Sequence, residues 1–204
     1  MTVMNSQETR AVVYLVDDDL SILKMLHTMV ASIGVDAQPY SSARAFLAAY
    51  RPSPCECLVC DIRMPDIDGI GLQKNLEAME ATLPIIFVTG FAEVGIAVEA
   101  MKSGAYDFIE KPFSAQSLLN KIQSALEVSK ARYAQWLARQ AITARVELLT
   151  PREKSVVDFV VAGRSSREIS EQLGISVRTV ENHRARILEK LHIESTVDLV
   201  RLFL

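Results

Sequence analysis

The sequence predicts two structural classes in one chain: a doubly wound α/β domain with a five-stranded parallel sheet, then a small all-α domain of four helices. Two observations carry this. Short apolar runs alternate with amphipathic stretches as far as about residue 123, and after Leu149 that alternation gives way to short helices with clear start signals. Between them, a helical pattern free of Pro and Gly runs from Ser114 to about Leu149 and joins the two. The expected boundaries are 1–123 for the first domain, 124–145 for the helical linker and 146–204 for the second.

The apolar runs are Val12–Val16, Cys57–Cys60, Ile85–Val88 and Asp107–Ile109, with a weaker one at Asp36–Tyr40. They are continuous rather than alternating, as strands covered on both faces require. Helical patterns fall at 20–32, 42–50, 69–80 and 92–102, and from 114 onward. Strand and helix in strict alternation imply a parallel sheet with helices on both faces. The long helix reads either as a solvated connector or as a helix that also pairs with a second chain, because its apolar spacing is too irregular for a coiled coil.

In the C-terminal part, Thr150-Pro151-Arg152-Glu153 combines an N-cap Thr, Pro at the first helical position and Glu at the third, the pattern of a capping box. Ser165-Ser166-Arg167-Glu168 has the same form; Ser176 and Ser195 can start two more helices. Ser166–Leu173, Gly174-Ile175-Ser176 and Val177–Leu191 then read as helix, three-residue turn, helix, which is a helix-turn-helix unit.

Composition limits the function classes. The chain has 204 residues, 50% of them hydrophobic and 23% charged, with a formal net charge of −3, which is ordinary for a folded protein. No apolar run approaches the roughly 20 residues that span a bilayer. The segment from Met1 to Arg10 is polar, so a cytoplasmic location with no membrane partner is expected. Cys55, Cys57 and Cys60 have no fourth ligand nearby and are read as buried thiols rather than a zinc site.

The chemistry gathers at strand ends. Asp17, Asp18 and Asp19 follow the first strand, Asp61 follows the third, Thr89 ends the fourth and Lys111-Pro112 follows the fifth. In an open parallel sheet these carboxyl ends share one rim. Clustered carboxylates without His or Cys favour a hard, oxygen-liganded cation such as Mg2+, with Mn2+ as a substitute. A lysine and a hydroxyl beside them suit the oxygens of a phosphoryl group. Asp19, just ahead of the first helix, is read as its cap, and Asp66 and Asp68 as solvated turn residues.

The stretches Val16-Asp17-Asp18-Asp19, Asp61-Ile62-Arg63-Met64-Pro65, Val88-Thr89-Gly90 and Phe108-Ile109-Glu110-Lys111-Pro112-Phe113 closely resemble the receiver domain of response regulators, whose fold is flavodoxin-like. The resemblance implies that Asp61 accepts a phosphoryl group from a cognate sensor histidine kinase. It implies that Asp17, Asp18, Asp61 and the backbone carbonyl of Arg63 hold the Mg2+, and that Thr89 and Lys111 bind the phosphoryl oxygens. Lys111-Pro112 is expected to be cis. Thr89 and Phe108 are the implied switch residues, and Arg63 and Phe91 lie over the path of hydrolytic water. A haloacid-dehalogenase-type phosphatase also uses an aspartyl nucleophile, but it places a second Asp two positions later, where this chain has Arg63. The chain is therefore read as a regulator, not an enzyme.

Over 146–204 acidic and basic residues balance, so the second domain lacks a bulk basic signature. The second helix of its helix-turn-helix is locally positive, with Arg178, Arg184, Arg186 and Lys190 against Glu181 and Glu189. Phosphate contact needs only such a stripe. Leu149-Thr150-Pro151-Arg152-Glu153, Leu173-Gly174-Ile175-Ser176 and Arg178-Thr179-Val180-Glu181-Asn182-His183-Arg184 are similar to the LuxR-type module of the NarL/FixJ subfamily. The first domain's Phe108-Ile109-Glu110-Lys111-Pro112-Phe113 and Ala97-Val98-Glu99-Ala100-Met101-Lys102 resemble its FixJ-like branch. The likeness to that subfamily implies double-stranded promoter DNA as a partner, a homodimer on phosphorylation, and RNA polymerase as a further partner. Glu181, Asn182 and Ala185 would face base edges; Arg178, Thr179, Arg184, Arg186 and Lys190 would serve the phosphate backbone.

Overall fold

The computed structural model describes residues 10–90 and 94–203. It separates into two compact units, Met1–Trp136 and Leu137–Leu204.

In the first unit, β1 (Val12–Val16), β2 (Asp36–Tyr40), β3 (Glu56–Asp61), β4 (Ile85–Thr89) and β5 (Asp107–Glu110) form one sheet in the order β2-β1-β3-β4-β5. Every pairing is parallel. Four connecting helices, α1 (Leu20–Ala31), α2 (Ala43–Ala49), α3 (Gly69–Ala78) and α4 (Val94–Lys102), alternate with the strands. The flavodoxin-like order reverses direction between β1 and β3, and a crevice opens at the carboxyl edge where the order of such a sheet reverses. Pro39 lacks an amide donor, and the strand that carries it lies at the sheet edge, where one missing donor is tolerated.

Strand alternation sorts the core into two layers. Val12, Tyr14, Val16, Leu58, Cys60 and Phe87 face Phe46 of α2 and Leu72 and Leu76 of α3. Val13, Leu15, Cys57, Val59, Ile86 and Val88 face Leu23, Leu26 and Val30 of α1, and also Leu118, Ile122 and Leu126 of α5 (Ala115–Glu147). The three cysteines are free and buried, and the sheet divides them, with Cys60 in one layer and Cys55 and Cys57 in the other. Burial pushes all three thiols up, which keeps them protonated and inert.

The second unit packs α6 (Pro151–Val161), α7 (Ser166–Leu173), α8 (Val177–Leu191) and α9 (Thr196–Phe203) around Val156, Val160, Ile169, Val180, Ile187, Leu191 and Leu199. Both expected capping boxes form, at Thr150/Glu153 and Ser165/Glu168. Gly174 closes α7 with φ 64°, a left-handed conformation that costs glycine least, and Ser176 caps α8 through the amide of Thr179. The three-residue turn therefore follows from its sequence. Among the described residues, no helix is long and apolar enough to cross a membrane.

Candidate functional site

The carboxyl edge of the sheet brings together most of the residues read from the sequence. Asp61 ends β3 and is only 9% exposed; Asp17 follows β1 and is 2% exposed. Lys111, just after β5, reaches both, with Nζ 2.7 Å from Asp61 Oδ1 and 3.5 Å from Asp17 Oδ2. Backbone donors hold the remaining oxygens: the Arg63 amide donates to Asp61 Oδ2 at 2.7 Å, and the Asp19 amide to Asp17 Oδ1 at 2.9 Å. Thr89 is buried at the end of β4, and its carbonyl accepts from the Lys111 amide at 2.8 Å. The Lys111-Pro112 bond is cis, as expected.

The electrostatics follow from this packing. Burial pushes the Asp17 carboxyl up, and the neighbouring Asp61 charge adds to that, while the Asp19 amide and Lys111 pull it back only in part. Burial pulls Lys111 down, but the hydrogen bond and charge of Asp61 and the charge of Asp17 outweigh it, leaving the ammonium above the ordinary lysine range.

The other residues divide. Asp18 is exposed on the same rim. Asp19 caps α1, and hydrogen bonds from Ser21 hold its carboxyl below the usual range. Asp68 is an N-cap as well: its side chain accepts from the Gly71 amide and starts α3, so reading it as a solvated turn residue was incomplete. Phe108 is half-buried against the α2–α3 layer. Phe91 lies outside the described residues, as does the start expected for the helix at 92–102.

One residue of this site escaped the sequence reading. Gly69 opens α3 directly against the backbone of Asp61; a Cβ there would lie 2.6 Å from the Asp61 carbonyl oxygen and 3.0 Å from Ile62 Cα. Its amide donates to the Ile62 carbonyl at 2.8 Å, which fixes the loop behind the acidic residue. Glycine beside an Asp-Gly turn looks like ordinary turn chemistry in sequence, so nothing there announced the close approach.

The donor set suits a hard cation, since it offers carboxylate and carbonyl oxygens, and the nitrogen beside them is the Lys111 ammonium, which has no lone pair to donate to a metal. Among the described residues, no three His, Cys, Asp or Glu side chains are arranged to hold a metal by themselves. An ion here would rely on backbone oxygen and water to complete its shell, which is the habit of Mg2+.

In the second unit, Arg178, Glu181, Asn182, Ala185 and Arg186 are exposed on α8, while Val180, Ile187 and Leu191 are buried in the core. Arg178, Glu181, Asn182 and Ala185 recur at helical spacing and share one face. The Thr179 and Ser176 hydroxyls lie 2.8 Å apart. Two basic residues expected on the phosphate side have partners within the domain. Lys190 Nζ lies 2.7 Å from the buried Glu153 and donates to the Leu148 carbonyl at 3.2 Å. Arg184 bonds the hydroxyls of Ser166, at 3.0 Å, and Thr196, at 2.8 Å. Charge along a helix does not reveal in sequence which side chains turn inward to pair.

A carboxylate-and-lysine rim on such a sheet, joined in one chain to a helix-turn-helix domain, defines a signal-responsive DNA-binding regulator. Comparison with known proteins gives the family. Residues 13–123 match the response regulator receiver domain, and residues 147–203 match the bacterial regulatory proteins of the luxR family. The response regulator protein TmoT of Ectopseudomonas mendocina is 38% identical over 97% of this chain and 89% of its own length. The transcriptional regulatory protein FixJ of Bradyrhizobium diazoefficiens is 39% identical over 95% of each chain. Among solved structures, the response regulator StyR superposes with a TM-score of 0.70 at 35% identity, covering 95% of this chain and 98% of its own. The chain belongs to the response regulators with a LuxR-type DNA-binding domain, and it is a phosphorylation-dependent transcriptional regulator of the two-component class.

Proposed function

We propose that Asp61 is the phosphoacceptor and that its modification switches DNA binding by the helix-turn-helix domain. The observation that carries this reading is the bridge from Lys111 to both Asp61 and Asp17 at the reversal point of the sheet. A carboxylate oxygen of Asp61 attacks the phosphorus of a phosphohistidine on a sensor kinase; the P–N bond breaks, a P–O bond forms and the imidazole leaves. Lys111 and the Thr89 hydroxyl take up the phosphoryl oxygens, with charge-assisted contacts from the lysine. Asp17, Asp18, Asp61 and the Arg63 carbonyl would hold Mg2+, or Mn2+ in its place, which would supply positive charge against the oxygens of the transferring group.

Transfer leaves about −1.5 to −2 charges on Asp61, enough to bias a two-state element. Thr89, at the end of β4, and Phe108, within the neighbouring β5, are the residues we assign to that switch. The division into receiver 1–123, linker 124–145 and DNA-binding domain 146–204 belongs to the same reading. On α8, Glu181, Asn182 and Ala185 would read bases, and Arg178, Thr179 and Arg186 would meet phosphates. Arg184 has guanidinium donors left for phosphate, whereas Lys190 serves the domain core. Dimerisation on phosphorylation would set two recognition helices on half-sites about one DNA turn apart. Contact with RNA polymerase, a cytoplasmic location and a non-enzymatic role complete the proposal.

Incubation with acetyl phosphate and Mg2+ tests the acceptor. The wild type should gain the mass of one phosphoryl group, and Asp61→Asn should gain none while keeping its fold. Equal labelling of both proteins would place the acceptor elsewhere.

A further inference from the structure

A short chain of hydrogen bonds links three helices of the DNA-binding domain, through the hydroxyl of Ser166 and the guanidinium of Arg184. Ser166, the first residue of α7, donates its hydroxyl proton to Glu181 Oε1 and accepts from Arg184 Nη1 at 3.0 Å. The other guanidinium nitrogen of Arg184 donates to Thr196 Oγ1, at the start of α9, at 2.8 Å. Glu181 and Arg184 stand about one helical turn apart on α8. Ser166 is itself fixed by the capping box beside it, in which the Ser165 amide donates to Glu168 Oε2 at 2.8 Å. The chain therefore runs Thr196, Arg184, Ser166, Glu181, and it ends on an exposed carboxylate of the recognition helix.

We infer that Ser166 is a specificity-determining positioning residue, which presets the Glu181 carboxylate as an acceptor toward one base edge. This rests on the DNA-binding reading above. A glutamate side chain has several soft torsions, and losing them on contact weakens binding. A hydroxyl donor on one carboxylate oxygen selects one rotamer beforehand and leaves the other oxygen to accept. A carboxylate so placed favours the exocyclic amine of cytosine or adenine and disfavours the acceptor edges of guanine and thymine in the major groove. Ser166 also keeps the Arg184 guanidinium on a hydroxyl. Without it, Glu181 and Arg184 have the spacing to pair directly, which would draw the carboxylate away from DNA. The ligand class assigned to Glu181 is thus an amine-bearing base, and its selection depends on a residue that need not touch DNA.

The test uses the full-length protein, with and without acetyl phosphate and Mg2+, against a pool of randomised double-stranded DNA. Affinities are then measured for the selected site and for its single base-pair changes. Ser166→Ala should lower discrimination by about fivefold at one base pair and leave the other positions as in the wild type. Ser166→Thr, which keeps the hydroxyl, should restore it. Glu181→Ala should lose discrimination at the same base pair, and adding Ser166→Ala to it should change nothing further there. A uniform loss of affinity across all sequences in Ser166→Ala would assign the serine a structural role and overturn the inference, as would an unchanged base preference. If the wild type selects no sequence under either condition, the DNA-binding reading fails and the inference fails with it.

Discussion

Lys111 Nζ sits 2.7 Å from Asp61 Oδ1 and 3.5 Å from Asp17 Oδ2, so one ammonium bridges two acids that are nearly withdrawn from water. Two carboxylates in a low-dielectric pocket repel each other strongly, and the lysine offsets that repulsion. Lys111→Met should destabilise the protein by about 1–3 kcal/mol at neutral pH, because the acids are left uncompensated. Asp61→Asn in the same chain should recover most of that loss. Denaturant unfolding of the four proteins measures the coupling, and additive effects would mean the bridge has no energetic role.

Gly69 tests how closely α3 approaches Asp61. Gly69→Ala would set a Cβ 2.6 Å from the Asp61 carbonyl oxygen and 2.9 Å from the Phe87 ring, so backbone must shift. Overpacking of this kind costs about 1–3 kcal/mol. The shift falls on Asp61 itself, so labelling by acetyl phosphate should slow as well. Wild-type stability with wild-type labelling in this variant would show that the loop yields freely.

At the opposite end of β3, Glu56 is buried and accepts from the Tyr50 hydroxyl at 2.8 Å and the Ser53 amide at 3.0 Å. Burial pushes its carboxyl up from 4.5 to about 7, against the opposing pull of those hydrogen bonds. Between these values the folded state holds a proton that the unfolded chain has released. Stability should therefore fall as pH rises through that window, by about 3 kcal/mol in all. Glu56→Gln has nothing to titrate there and should show a flatter profile between pH 5 and 8. Parallel profiles for the two proteins would contradict the assignment.

Lys190 separates a structural from a DNA-contacting role. Burial pushes the Glu153 carboxyl up, but Lys190 and the hydrogen bonds of Thr150 outweigh it and hold it below the usual range. The pair should thus stabilise the domain above the ordinary glutamate range and weaken as pH falls below it. Lys190→Met should lower stability by roughly 1–3 kcal/mol while leaving the salt dependence of DNA binding unchanged. A reduced salt slope with unchanged stability would return Lys190 to the phosphate backbone.

Much of this was legible in the sequence because it rests on short-range signals. Continuous apolar runs marked the strands, Ser and Thr caps marked the helices of the second domain, and carboxylates at strand ends marked the rim. What escaped depends on three-dimensional approach. Glu56 lay just ahead of the run read as Cys57–Cys60, yet it belongs to β3 and is fully buried, because Tyr50 and Ser53 satisfy its oxygens from outside the strand. Gly69 looked like turn chemistry until the Asp61 backbone was seen against it. Arg184, Lys190 and Glu181 looked equally free on a charged helix; only the packing shows that Ser166, Thr196 and Glu153 hold them.

Control of DNA binding by modification of Asp61 can be read from a single affinity measurement. Full-length protein is titrated against its selected DNA site with and without acetyl phosphate and Mg2+, at fixed salt, alongside Asp61→Asn. The donor should tighten wild-type binding by about tenfold or more, equivalent to ~1.4 kcal/mol, with no change in Asp61→Asn. An equal gain in both proteins, or none in the wild type once mass measurement shows it phosphorylated, would contradict that control.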